Sequence, residues 1–179
     1  EKIYYDSIPN RNYNIYDHLD TDVLKAFRRE AHISNNVDDE LLLENLQAFT
    51  ENGDVKRGAI LFFDKHSETL FFHAVVRCTQ FKGTDKLHII DDKTFGGPLV
   101  AQYEQALSWL QDKLNLEYEI KGIGARTEKW EMPLDVFREA LINALAHRDY
   151  YEQGAFTNVE MYDDRIEITN PGGLLPLVA

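Results

Sequence analysis

The chain has 179 residues, 44% of them apolar and 28% charged, which is the composition of a folded globular protein and excludes a disordered or low-complexity one. With 19 basic against 31 acidic residues it carries a net charge of −12, a field that repels phosphate backbones and makes this stretch alone a poor DNA binder. The longest apolar run, Gly58 to Phe63, stops after six residues, far short of a membrane span, so no membrane partner is expected. The single cysteine, Cys78, allows neither an internal disulfide nor a cysteine zinc site, and a reducing, cytoplasmic setting is expected. The chain starts at Glu1 with no charged-then-apolar leader, which suggests a piece of something longer.

In chain order, Tyr4 to Asn14 mixes Pro, Asn and aromatics without a period and reads as an extended connector whose aromatics pack on a neighbour. A helix is expected from Asp20 or Thr21 as cap, with Leu24, Phe27 and Ala31 on its narrow apolar face. Lys25, Arg28 and Arg29 on it form the densest basic group and read as a solvated face. A second helix is expected over Asp38 to Phe49, with Leu42, Leu46 and Phe49 on one side and Asn52-Gly53 as its stop. Gly58 to Phe63 is apolar throughout, so periodicity leaves a buried strand and a short buried helix both open.

His73 to Phe81 is β-branched and aromatic and predicts a strand, and Leu87 to Ile90 predicts another. After Gly96-Gly97-Pro98, Leu99 to Leu114 predicts a helix with Tyr103, Ala106, Leu107 and Leu110 inward. Glu117 to Ile123 alternates and reads as a strand. Pro133 suits a first helical turn, and Leu134 to His147 follows with Phe137, Leu141, Ala144 and Leu145 facing a core. Phe156 to Tyr162 and Arg165 to Thr169, joined at Asp163-Asp164, read as a β-hairpin. The apolar tail Leu174 to Ala179 has no partner left in the chain and suggests truncation.

The fold class expected is therefore α+β: an extended and helical connector over 1–55, then over 56–179 a mixed sheet with helices packed on it. The residues that could carry chemistry are few. Glu139 and Asn143, four apart, share one face of the Pro133 helix. A carboxylate can orient water, and an amide oxygen suits the oxygen-rich shell of Mg²⁺ beside nucleotide phosphates. Solvent exposure of Glu139 and capping or local bonding by Asn143 would also explain the pair, since such helix pairs are common. Asn170-Pro171-Gly172-Gly173 follows a strand, where adjacent glycines let backbone approach a ligand or simply form a turn. No His, Cys or acidic pattern has metal-ligand spacing: His66, His73 and His88 are scattered, and Asp91-Asp92 and Asp163-Asp164 read as solvated acidic turns. Cys78, mid-strand, reads as core. There is no P-loop, Gly122-Ile123-Gly124-Ala125 is not a dinucleotide fingerprint, and hydrolase triad motifs are missing.

Arg138 to Tyr150, with Glu139, Asn143 and His147-Arg148-Asp149, followed by Tyr162 to Leu174, resembles the signature of bacterial and archaeal RecG-related regulators. Phe81-Lys82-Gly83-Thr84-Asp85 and Phe95-Gly96-Gly97-Pro98-Leu99 are similar to that family's middle region. Its members carry an AlbA/Schlafen-like nucleic-acid-binding domain and then a divergent GHKL-type ATPase-like domain, and are labelled transcriptional regulators or helicase-related proteins. The resemblance implies an incomplete GHKL-like domain that binds ATP with Mg²⁺. Glu139 would be the water-activating base of a divergent ATPase, and Asn143 the Mg²⁺ ligand acting through the nucleotide. Asn170 with Gly172 and Gly173 would stand at the base, where the family pattern has an aspartate. An amide there accepts the same hydrogen bond without charge assistance. His147 and Arg148 would lie near phosphate, although a cation at a helix C-terminus is also favoured by the macrodipole. DNA would be met by domains outside this acidic stretch, with a homodimer as the expected assembly. The alternative is a non-catalytic scaffold and dimerisation module between a DNA-binding and an effector domain.

Overall fold

The structure, a computed structural model, describes residues 4–34, 36–120 and 133–173, with 115–120 by backbone alone. The chain divides into two compact units, one made of Glu1–Ala74 with Gly96–Ala101 and one of Val75–Phe95 with Gln102–Ala179. Its class is mixed α+β, as the sequence predicts.

In the first unit, β1 (Pro9–Asn10) pairs antiparallel with β2 (Val55–Lys56). Of the opening aromatics Tyr5 packs, buried edge-on to Phe71 and His73 with the Arg57 guanidinium 4.8 Å from its ring centre, whereas Tyr4 is exposed. Helix α1 (Thr21–Glu30) begins where the Asp20 carboxylate accepts from the amides of Asp22 and Val23, the N-cap bond that satisfies otherwise orphaned donors. It ends with His32 in left-handed backbone, the His32 amide on the Arg29 carbonyl and the Ile33 amide on the Arg28 carbonyl. That paired closure is a Schellman motif.

Helix α2 (Asp39–Asn45) is shorter than the Asp38–Phe49 expected. It too closes by a Schellman motif, with Gln47 at φ 56° and the Ala48 amide returning to the Leu43 carbonyl. Leu42 and Leu43 are therefore the buried pair, whereas Leu46 is exposed and Phe49 bridges to Val55. A β-carbon in this backbone region costs about 1–2 kcal/mol, partly offset by the unfolded-state entropy a glycine adds. Gln47→Gly is accordingly expected to stabilise the protein by about 0.5–1 kcal/mol in urea denaturation.

The run that periodicity left open forms helix α3 (Arg57–Phe63), burying Ala59, Ile60, Leu61 and Phe63 and leaving Phe62 exposed. Asp64 terminates it. Its buried carboxylate accepts from the Tyr13 hydroxyl and from the His66 amide at 2.6 Å. The following turn grips Gly97: the Ser67 hydroxyl donates to its carbonyl at 2.7 Å, and its amide donates to the Glu68 carboxylate at 2.6 Å.

In the second unit β3 (Val76–Phe81), β4 (Ile89–Phe95), β5 (Thr157–Met161) and β6 (Ile166–Thr169) form one sheet in the order β4-β3-β5-β6. The central pair β3–β5 is parallel and the two outer pairs are antiparallel. Register places Val76, Cys78, Thr157, Val159 and Met161 on one face, all buried. Cys78 is a core residue as expected, its thiol pushed up to about 12 chiefly by burial. Helix α4 (Leu99–Ile120), most of which belongs to this unit, meets that face through Trp109, whose indole donates to Asp91, and Lys113, 2.6 Å from the same carboxylate. Ala106, Leu107 and Leu110 are buried on it as predicted, while Tyr103 is half-buried.

Three expectations are corrected here. Residues 117–120, expected as strand, are the last turn of α4, because no Gly or Pro interrupts Leu99 to Ile120 and an established helix extends by one bond per residue added. Residues 121–123, the Gly122 to Ala125 stretch and the tail Leu174 to Ala179 lie outside the described residues. Asp91 and Asp92 sit in β4, which runs on to Phe95, and not in a turn. Each is held by cations: Asp91 as above, Asp92 by a two-pronged Arg77 contact and the Thr79 hydroxyl. Pro133 stands as the N-cap of α5 (Leu134–Ala146), one residue ahead of its first turn, and Phe137, Leu141, Ala144 and Leu145 are buried as expected.

The hydrogen bonds of Lys113 and Trp109 hold the Asp91 carboxyl below its ordinary value, and Arg77 does the same for Asp92. Stability from these two groups is complete above the unfolded carboxylate value of about 3.9 and is lost as pH falls through their depressed folded values. Asp64 acts oppositely: burial raises it, so its contribution is full at low pH and declines as pH rises through its folded value. In urea titrations from pH 6 to 2, Asp92→Asn is expected to flatten the acid loss. An unchanged acid slope would show that Arg77 gives Asp92 no advantage in the fold.

Candidate functional site

Two of the segments singled out in the sequence are brought into contact by this fold. Helix α5 lies against β6, and the turn after β6 closes on the end of α5. The Asp149 amide donates to the Pro171 carbonyl at 2.7 Å. Gly172 has φ 135°, and a β-carbon there would stand 3.3 Å from both the His147 carbonyl and the Asp149 nitrogen. A glycine is needed at this approach, both for the backbone and for the space. Gly173, by contrast, is exposed, and a side chain there would meet nothing.

Asn170 is half-buried and donates its side-chain amide to the Pro171 carbonyl at 3.3 Å, which leaves its side-chain oxygen as an acceptor with no described partner. Glu139, Asn143 and His147 follow one another at intervals of four, so they form one row along α5, and all three are exposed. None of their side chains makes a hydrogen bond or ion pair with another described residue. On the same helix Arg138 is committed to Asp135. Val136 and Ile142 are exposed on the same helix and give the row apolar flanks.

Arg148 is placed differently from its neighbours. It is 5% exposed, with one guanidinium nitrogen donating to the carbonyls of Glu152 and Ala155, 3.2 and 2.8 Å away. The Tyr150 ring lies 5.4 Å from the guanidinium, and the Tyr150 hydroxyl donates to the Leu145 carbonyl. The 149–155 loop is wound around this cation, so Arg148 faces protein and not the exposed row. Sequence spacing could not show this; an Arg followed by a short polar loop was the one available signal.

The segment Phe81 to Asp85 docks on the β5–β6 hairpin. Phe81 stacks on Tyr162 at 5.1 Å, and the Arg165 guanidinium lies 3.9 Å from the same ring. The Gly83 carbonyl accepts from the Asp163 amide. These contacts hold the hairpin and leave the α5 row free of it.

Asn143 offers an oxygen donor of the hard kind that Mg²⁺ takes, and among the described residues no group of three or more His, Cys, Asp or Glu could hold a metal ion. No helix of the described residues is long and apolar enough to cross a membrane. No family model and no curated protein matches the chain. Among solved structures, the DIP2311 protein from Corynebacterium diphtheriae is similar over 96% of this chain, with a TM-score of 0.65 at 19% identity. This chain spans 28% of that protein's length, and a likeness at this identity shows a shared fold alone.

Proposed function

We propose that this chain is part of the nucleotide-binding, ATPase-like module of a DNA-associated regulator resembling the RecG-related family. The observation that carries the reading is the row Glu139–Asn143–His147, exposed and unengaged, on a helix whose end is joined to the Asn170–Gly172 turn. In this reading Asn143 supplies an oxygen to Mg²⁺ held with the phosphates, and Mg²⁺ supplies charge neutralisation of the phosphate oxygens. Glu139 orients and deprotonates the attacking water, one helical turn away on the same face. His147 faces the phosphates, and the Asn170 oxygen accepts from an exocyclic amino group of the base. Gly172 and Arg148 act as positioning residues, the first by admitting the turn to the α5 cap, the second by shaping the loop that leaves it.

The test is calorimetric titration of ATP and a non-hydrolysable analogue, with and without Mg²⁺, beside Asn143→Ala. Saturable Mg²⁺-dependent heat that the variant lacks is the expected result. Equal affinity in the variant would sink the assignment of Asn143. Asn170→Asp is the companion, since a carboxylate at the base strengthens the hydrogen bond from an adenine amino group. The second reading, a scaffold that dimerises, draws on the exposed Val136 and Ile142. It predicts a dimer in sedimentation that is indifferent to ATP. With a net charge of −12, DNA is met in this reading by other parts of the regulator and not by this acidic stretch.

A further inference from the structure

The loop between α2 and β2 carries the chain's one Asn-Gly pair, Asn52-Gly53; every other asparagine is followed by a residue with a β-carbon. Glu51, Asn52 and Gly53 are all exposed. Gly53 has φ 81°, and a β-carbon there would meet nothing within reach. The loop is closed by the Gly53 amide on the Thr50 carbonyl at 2.9 Å, the Thr50 amide on the Asp54 carbonyl at 2.8 Å and the Asp54 amide on the Thr50 hydroxyl at 3.1 Å. A bond between residues three apart followed by a left-handed residue is the three-residue hairpin loop, whose last position favours glycine. The fold therefore holds a glycine directly after Asn52, at the tip of the turn that sets Phe49 against Val55.

Chemically such a pair reacts with itself. Once water or hydroxide has taken its proton, the Gly53 nitrogen attacks the side-chain carbonyl carbon of Asn52, and no side chain on Gly53 crowds the approach. The new C–N bond closes a succinimide ring, and the side-chain nitrogen leaves as ammonia. Water then opens the ring. Attack at the side-chain carbonyl gives aspartate, whereas attack at the main-chain carbonyl gives isoaspartate, in which the backbone runs through the β-carbon. In the closed loop the Gly53 proton is held by Thr50, and Glu51 and Asp54 on either side disfavour a further negative charge. Reaction thus proceeds from the opened loop, and exposed loops with few buried contacts are the parts of a fold that open with least free energy.

We infer that Asn52 is a modification site, converted spontaneously to isoaspartate and aspartate by way of loop opening, and that the isoaspartate form cannot close the loop again. The extra backbone carbon lies between Thr50 and Asp54, inside the ring that all three loop bonds close. Both products add one negative charge, taking the net charge from −12 to −13, in a turn already flanked by Glu51 and Asp54. Loss of the loop reaches further than its tip, because it leads straight into β2, where the buried Val55 pairs with Asn10 and bridges to Phe49. The inference is independent of the nucleotide reading, since this loop belongs to the first unit and the α5 row to the second.

The experiment is incubation of the full chain at mildly acid and mildly alkaline pH, with and without urea, followed by peptide mapping in a mass spectrometer. The peptide that contains Asn52 is expected to gain the mass difference between a hydroxyl and an amino group and to resolve into two forms, isoaspartate the larger. Conversion is expected to be faster at alkaline pH and at least about tenfold faster in urea, the ratio reporting the free energy of loop opening. The other asparagines of the folded chain stay intact over the same time. Asn52→Gln, whose longer side chain closes a ring far less readily, is expected to abolish the conversion. Freshly prepared Asn52→Asp carries the added charge without the lengthened backbone, so the aged parent is expected to melt at lower urea than this variant. An intact Asn52 beside other converted asparagines would overturn the site. Equal rates with and without urea would overturn the route through loop opening, and an aged parent that melts with Asn52→Asp would overturn the loss of the loop.

Discussion

Replacing Arg148 by alanine is expected to cost about 3 kcal/mol of stability, because it removes a buried charged donor and leaves two loop carbonyls unpaired. The guanidinium is 5% exposed, and it serves Glu152 and Ala155 from inside the loop they belong to. Neither carbonyl can turn to solvent without unwinding that loop, which is further held by the Tyr151 amide on Asp149, the Gly154 amide on Glu152 and the Asp149 amide on the Pro171 carbonyl. Arg148→Met keeps most of the volume and loses the donors, so it separates hydrogen bonding from the cavity. Denaturant melts of both variants check this. If Arg148→Ala lies within about 0.5 kcal/mol of the parent, the loop does not depend on the cation, since surface substitutions fall in that range. Under the proposed function, Arg148→Met also lowers nucleotide affinity without contacting nucleotide, because it loosens the segment to which Gly172 is joined.

Gly97→Ala is expected to destabilise the first unit by about 2 kcal/mol or more. Gly97 has φ 79°, where a β-carbon costs about 1–2 kcal/mol. That β-carbon would also stand 3.1 Å from the Lys65 carbonyl, backbone that cannot swing aside. The cost rises because the peptide groups of Gly97 are held by the Ser67 hydroxyl and the Glu68 carboxylate, so a shift that relieves the clash breaks those bonds. Glu68→Gln keeps the shape and weakens one bond of the grip, and a smaller loss is expected from it. A Gly97→Ala protein that melts with the parent would show that the turn has room to relax.

The elements that burial defines were legible in the chain. In α5 the positions Phe137, Leu141, Ala144 and Leu145 recur at helical spacing, and all four are buried. The hairpin is announced by two alternating runs around Asp163-Asp164. Where expectation and structure part, local pattern was too short to decide. Six apolar residues from Gly58 fit a strand or a helix equally, and Gln47, a residue with no marked preference for left-handed backbone, ends α2 four residues early. Asp91 and Asp92 look like a turn until Arg77, Thr79, Trp109 and Lys113 are seen around them, and these partners are distant in sequence.

The same division runs through the site. The row Glu139, Asn143, His147 follows from helical spacing, since a helix stacks every fourth side chain on one face. That the row is exposed and unengaged, that Gly172 closes on the α5 cap, and that Arg148 turns inward are decisions of tertiary structure. By itself the amino-acid sequence determined the α+β class, the helices with strong apolar periodicity, the core role of Cys78 and the acidic field. Tertiary structure alone decided the β4-β3-β5-β6 order and the partners of each buried charge. Periodicity is a property of neighbours along the chain, whereas pairing of strands and charges depends on which distant residues the fold makes neighbours in space.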